Sequence, residues 1–366
     1  MTSLASSSAP TTSPAKPSTP TLWQRIRRIL GSYTVRVIVQ AVLTIFGVIT
    51  FTFFMIRLMP GNPVEIKIEQ FMQRGLTFEE ASNQVAALYQ FDPNAPILQQ
   101  YADYIGKLLQ GDLGESITSP GTSVISQVLR FLPWTLFSVG IALLISFSLG
   151  VLLGMAMAYW RGSLFDNIVT VIASFIYGIP DYVIALLLII VVGIQWKLFN
   201  PGEMRGGVDA TIPPGFTFEY IGSIFKFAML PVLVYVMSSI GGWILTMKSS
   251  TMATLGEDHI TVAKARGLSE GRILTAYVGR NALLPLVTRL AISIGFVVGG
   301  SVIIEELFQY PGIGRNLLRV ITSRDYTTMQ GFFLIITISV VLSNMVSDLV
   351  LGLLDPRVRL GSDKGE

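Results

Sequence analysis

Six apolar runs, each long enough to cross a bilayer as a helix, dominate this 366-residue chain: residues 37–56, 134–159, 167–194, 228–247, 285–304 and 331–354. The first covers about 30 Å at helical rise, the thickness of a hydrocarbon core. A mean hydropathy of +0.61, with 51% hydrophobic and only 13% charged residues, fits that solvent and cannot cover a water-soluble surface of this size. The expected fold is an all-α polytopic membrane protein with six transmembrane helices and both termini on one side. Trp134 and Trp160 bracket the second run and Trp196 closes the third, at positions suited to the headgroup layer.

Charge orients the spans. With a cytoplasmic N-terminus, the inner segments hold fifteen Lys/Arg against seven acids, and the outer segments eleven against fourteen. That asymmetry follows the positive-inside rule, with Arg289 counted as inside on the expectation that it snorkels to the interface. The net charge of +3 is then a matter of orientation, and no nucleic-acid partner is expected. Residues 1–20, with six Ser, four Thr and four Pro, read as a disordered cytoplasmic tail. An amphipathic basic segment and span one follow (21–57), then an extracytoplasmic loop region (58–133). A five-helix core (134–354) and a short cytoplasmic tail (355–366) complete the chain.

Two loops carry helical pattern. In the outer one, Thr77 and Glu80 form a capping box, and Pro96 opens a helix whose Ile97, Tyr101, Tyr104, Ile105, Leu108 and Leu109 share a face until Gly111. Such a loop reads equally as a small extracytoplasmic cap or as an ordinary loop packed on the membrane surface. In the inner loop, 248–284, Asp258 is placed to cap a short helix that stops at Gly267, and Ser269 to cap a second with Ile273, Leu274, Tyr277, Val278 and Ala282 on one face. Ala263 and Ala265 beside Gly267 permit close approach of another protein. A rigid knob parallel to the membrane and an interfacial helix lying on lipid both satisfy this pattern.

Catalytic chemistry finds no footing. The chain has no cysteine and a single histidine, His259, which excludes disulfides, thiolate nucleophiles, iron–sulfur clusters and paired-histidine metal sites. It has no G-x-S-x-G, no H-E-x-x-H and no phosphate loop, so neither an enzyme nor a cofactor or metal site is expected. Within the spans, Asp181 follows Gly178-Ile179-Pro180 and, with Tyr182, is a candidate for the transport pathway, because a membrane acid needs water or a partner. Asp348 reads as structural. Gly150 with Gly154, and Gly295 with Gly299, are small-residue pairs suited to close helix packing.

The stretch DHITVAKARGLSEGRILTAYVGRNALLPLV (258–287) resembles the cytoplasmic loop of binding-protein-dependent ABC permeases, specifically the dipeptide/oligopeptide permease subunit with a long first external loop. RLMPGNP (57–63), QGDLGESI (110–117), YGIPDYVIALLLI (177–189), FQYPGIGRNLL (308–318), SRDYTTMQG (323–331) and LLDPRVRL (353–360) agree with it. The resemblance implies a subunit without its own catalytic site in the prokaryotic inner membrane, half of a pathway for peptides. Its implied partners are a second homologous permease (a heterodimer), two cytoplasmic ATP-binding subunits and an extracytoplasmic solute-binding protein. Related chains move oligosaccharides or metal chelates, and a stand-alone channel or secondary transporter is the competing class. The resemblance implies ATPase coupling through Asp258, Ala263, Ala265, Gly267 and Leu268. Thr261, Val262 and Ala263 stand where the broader motif has Glu-Ala-Ala, so no acidic contact carries over to Thr261.

Overall fold

The computed structural model describes residues 33–58, 63–88 and 95–354. The predicted terminal tails and the basic segment before residue 33 lie outside the described residues. In chain order the helices are α1 (Tyr33–Arg57), α2 (Pro63–Met72), α3 (Phe78–Leu88), α4 (Ile97–Leu109), α5 (Val124–Tyr159), α6 (Leu164–Tyr177) and α7 (Asp181–Gln195). They continue with α8 (Phe218–Leu255), α9 (Asp258–Ala265), α10 (Glu270–Ala282), α11 (Leu284–Val297), α12 (Val302–Leu307), α13 (Ile313–Thr322) and α14 (Tyr326–Leu354).

Four of these, α1, α5, α8 and α14, are continuous helices long and apolar enough to cross a membrane. Two more crossings exist if bent pairs are counted: α6 with α7, which meet at 101°, and α10 with α11, at 47°. The apolar run 167–194 is therefore not the one straight helix its length suggests. Pro180 lacks an N–H and disfavours helical backbone at Ile179, so α6 ends at Tyr177 and the chain turns. The run 285–304 is also revised, because α11 stops at Val297 and Gly300, at φ 62°, reverses the chain before α12.

Close packing explains where the small residues fall. A Cβ on Gly150 would lie 2.3 Å from Trp243 Cβ, and one on Gly154 2.6 Å from Met247 Cβ, so α5 approaches the α8 backbone where any larger residue collides. Gly295 likewise lets α11 against α14, 2.9 Å from the Val340 Cα, whereas a Cβ on Gly299 would make only ordinary contacts, with Phe296 O at 3.5 Å and Ile336 at 3.6 Å.

The described residues 63–88 and 95–109 are helical and packed on one another and on α1. Thr77 N–H donates to Glu80 Oε2 (3.0 Å) and Glu80 N–H to Thr77 Oγ1 (3.3 Å), the reciprocal box its sequence encodes. Tyr101 and Tyr104 of α4 pack on Phe53 of α1 at 5.2 and 5.5 Å, and Thr50 shares a 2.7 Å hydrogen bond with the Tyr101 hydroxyl. The rest of the predicted apolar face is less used, since Ile97 and Leu109 stay exposed.

Gly150→Leu should lower the thermal unfolding midpoint of the purified chain by several degrees, following an overpacking cost of roughly 1–3 kcal/mol. Gly140→Leu, at a position of α5 with nothing within 4 Å, is the control that should stay near wild type. Equal midpoints for the two variants would contradict the packing.

Candidate functional site

The loop between α8 and α11 forms one packed unit. Asp258 does not cap α9 as expected; Glu257 occupies that position through its backbone, and Asp258 is the first helical residue, where its charge complements the helix dipole. The helix ends as its sequence directs. Gly267 takes φ 73°, its N–H reaches Lys264 O (2.9 Å), and Leu268 N–H reaches Ala263 O (3.4 Å), the paired bonds of a left-handed glycine cap.

The inner face of α9 belongs to this chain. Ile260 and Ala263 are buried with Ile273, Val278 and Ala282 of α10, all seated on Trp243 and Met247 of α8, and Leu268 packs on the same cluster. Ser250 of α8 adds a 2.8 Å hydrogen bond to Ala282 O. Ala263 is therefore small for packing within the chain rather than for approach by a second protein, and Leu268 is a support. The outer face is left to Thr261, Val262, Lys264, Ala265 and Arg266, all exposed, with Val262 57% exposed. A Cβ on Gly267 would meet nothing within 4 Å, so the end of the helix is open. His259 lies at this surface, 3.1 Å from Glu257 and 3.4 Å from Asn281. The arrangement offers an apolar residue and two cations on a short rigid helix, suited to insertion in a groove of another protein.

Asp181 opens α7 at the 101° elbow. Its carboxylate accepts from the Tyr182 N–H (2.7 Å) and is half-exposed, and Tyr182 is 42% exposed. Arg289 does not reach back toward the loop. Its guanidinium lies 4.8 Å over the Trp243 ring and donates to Thr246 Oγ1 (3.0 Å), two residues short of Lys248 on the same helix. Lys248 itself is 2.5 Å from Asp166 of α6, a tie between the two helices that the sequence pattern did not suggest. The side chain of Asp348 lies outside the described residues.

Two buried carboxylates bring distant motifs together. Asp325, fully buried, caps α14 through Thr328 N–H (3.1 Å) and accepts from Ser116, Ile117 N–H (3.1 Å) and Thr118 Oγ1 (3.0 Å), so SRDYTTMQG clasps the end of QGDLGESI. Glu305 of α12, also fully buried, accepts from Thr135 of α5 (3.0 Å) and from Arg315 N–H (3.0 Å), while Ile313 N–H donates to Thr135 (2.8 Å). Together Thr135 and Glu305 satisfy the first turn of α13. A Cβ on Gly300 or Gly312 would come within 2.5 Å of the Glu305 carboxylate. Burial pushes the Glu305 carboxyl up to about 7, against hydrogen bonds from Arg315, Thr135 and Gly314 that lower it. Neither acid is marked by periodicity; Asp325 falls within SRDYTTMQG, a motif shared with the permeases, whereas Glu305 lies outside every such motif.

Residues 150–360 match the family described as binding-protein-dependent transport system inner membrane component. The chain is 33% identical over 329 residues to a di/tripeptide transport system permease protein of Pseudomonas aeruginosa, covering 86% of this chain and 95% of the relative. It is 30% identical over 331 residues to a dipeptide transport system permease protein of Escherichia coli, with 86% and 95% covered. An oligopeptide transport system permease protein of Bacillus subtilis is 26% identical over 329 residues, with 90% and 99% covered. The chain belongs to the family of inner membrane components of binding-protein-dependent transport systems. It is a membrane permease subunit, of a class that works with a solute-binding protein and ATPase subunits.

Glu305 yields a pH prediction. Its folded value of about 7 exceeds the ordinary 4.5, so between these values the folded state holds the extra proton, and stability falls as pH rises through that window and levels off above it. Unfolding midpoints taken from about pH 5 to 8 should decline more steeply for wild type than for Glu305→Gln. Parallel profiles would contradict this assignment.

Proposed function

We propose that this chain forms half of the translocation pathway of an ATP-driven importer of peptides, paired with a second homologous permease and two ATP-binding subunits. The peptide class rests on the relatives, di/tripeptide, dipeptide and oligopeptide transport system permease proteins that align with most of this chain. Both termini and the α9–α10 loop are assigned to the cytoplasm from the excess of Lys/Arg in those segments. The region 58–133 then stands outside, where a solute-binding protein delivers its cargo. The chain supplies no nucleotide chemistry of its own in this reading. ATP binding and hydrolysis belong to the partner subunits.

The observation that carries the coupling role is the two-sided character of α9, with Ile260 and Ala263 fixed in the core of the chain and Val262, Ala265 and Gly267 presented outward. Motion of an ATPase bound to the outer face is transmitted to α8 and α11 through the packing of Ile260 and Ala263 on Trp243 and Met247 of α8 and on α10, which leads into α11. Delivery of substrate and binding of ATP must favour the same arrangement of the spans, otherwise hydrolysis is uncoupled from transport.

Val262→Asp and Ala265→Trp should each leave the chain inserted and as thermostable as wild type, yet lose co-purification of the ATP-binding subunits and peptide uptake. Both side chains are exposed, so misfolding is not the expected route to failure. Full ATPase retention with normal uptake in both variants would refute the coupling surface. For the pathway, Asp181→Ala should reduce peptide uptake roughly tenfold while ATPase association is retained, the loss expected when a charged group that meets the substrate is removed. Unchanged uptake kinetics would remove Asp181 from the pathway.

A further inference from the structure

Arg289 is a cation within the spans that no carboxylate answers. It stands five residues past Leu284, the start of α11, near enough to the inner interface for its long stem to reach the headgroups. Instead the guanidinium turns onto α8, 4.8 Å over the ring of Trp243, which is 2% exposed. Thr246 fixes that pose. Its hydroxyl donates to Gly242 O (2.7 Å), which leaves its lone pairs to accept from the guanidinium (3.0 Å). Lys248, two residues further along α8, is neutralised by Asp166. Arg289 has no such partner among the described residues, and the other N–H groups of its fork find no acceptor there.

Gly242 makes room for a second group beside the cation. A Cβ at that position would lie 2.8 Å from Tyr177 Cε2 and 3.2 Å from the Arg289 guanidinium, so the phenol ring and the cation meet over one bare patch of α8. Three crossings thus surround the guanidinium, α8 beneath it, α11 from which it projects, and α6, which ends at Tyr177. Tyr177 itself is half-exposed. Asp181 follows it by four residues, at most about 14 Å of chain, and meets no cation among the described residues.

We propose that Arg289 is a binding site for the C-terminal carboxylate of the transported peptide, with Asp181 facing the peptide's ammonium. The inference rests on the importer reading and on the place given there to Asp181. Charges within a membrane bundle require water or a partner, and an unmodified peptide carries both signs at its two ends whatever its side chains. A guanidinium fork takes a carboxylate in two-point fashion. Two residues of extended peptide cover about 7 Å and three about 10 Å, lengths that fit a gap bounded by four residues of chain. A lipid phosphate is a poorer match, because it lies in the layer from which the side chain turns away. One charged contact at each end also holds a solute loosely enough to release it, as a pathway must.

The test uses the assembled transporter in proteoliposomes and reads ATP-driven uptake of alanyl-alanine, its C-terminal amide and its N-acetyl form. Each peptide is supplied at a concentration that saturates the solute-binding protein, whose own selection then cancels between permease variants. Arg289→Gln should lose roughly tenfold of the preference for free acid over amide and keep the preference for free amine over the N-acetyl form. Asp181→Asn should do the reverse. Arg289→Lys, which keeps the charge without the fork, should fall between wild type and Arg289→Gln. A wild-type acid preference in Arg289→Gln overturns the proposal. Equal loss of uptake for all three peptides marks a purely structural role and also overturns it. If Arg289→Gln no longer purifies with the second permease, Arg289 is a subunit contact and the proposal falls. The same holds if its uptake merely ceases to follow anionic lipid content. A wild-type transporter that takes up none of the three peptides with ATP overturns the importer reading as well, and that control separates the two failures.

Discussion

The contact on which the rest of the molecule depends is the close approach of α5 to α8, where Gly150 and Gly154 meet Trp243 and Met247. Lipid tails are as apolar as the helices they surround, so helices associate through fit rather than through escape from water. Glycine permits that fit, because no other residue lets the α8 backbone come so near. Trp243 and Met247 then serve a second purpose. They floor the cluster that holds Ile260 and Ala263 of α9 and Ile273 and Val278 of α10. Arg289 covers the Trp243 ring, bringing α11 into the same assembly. A helix that would otherwise be a surface loop is thus fixed to three spans, which is the mechanical requirement for passing force between an ATPase and a membrane pathway.

The opposite end is held by different chemistry. There the joints are buried carboxylates that gather hydrogen bonds from segments far apart in the chain, Asp325 from the 116–118 turn and Glu305 from Thr135 and the first turn of α13. Satisfied networks of this kind specify one arrangement, since a lost partner leaves a desolvated polar group. The segments that shape the outer face in the proposed orientation are positioned by these two acids. Packing organises one end of the molecule and directional hydrogen bonds the other.

Much of this architecture is written in local pattern, and the parts that are not share a cause. Apolar run lengths marked the crossings, Thr77 and Glu80 marked a helix start, and Gly267 marked a helix end, because each depends on residues within a few positions of one another. Run length is blind to direction, so the 101° bend within residues 167–194 was missed even though Pro180 signalled a weakness there. The burial of Ala263 and the partial burial of Leu268 within the chain are hidden from local pattern for a related reason. A small or apolar residue in a short helix looks the same whether it faces its own core or another protein, and only the position of α8 decides. Glu305 and Asp325 lie furthest from local reading, since each also bonds across the fold, Glu305 to Thr135 and Asp325 to Ser116, 170 and 209 residues away in sequence.

If α9 is fixed to the spans, its distance from α8 must not change during the transport cycle. Because the chain has no native cysteine, labels can be placed at His259 of α9, outside the residues assigned to the ATPase contact, and at Leu233 of α8 alone, both exposed, and their separation measured by pulsed electron spin resonance in the assembled transporter without nucleotide and with ATP trapped. The account predicts one narrow distance distribution, the same in both states. A shift of several ångströms, or a broad distribution in either state, would contradict it and would make α9 a hinged arm.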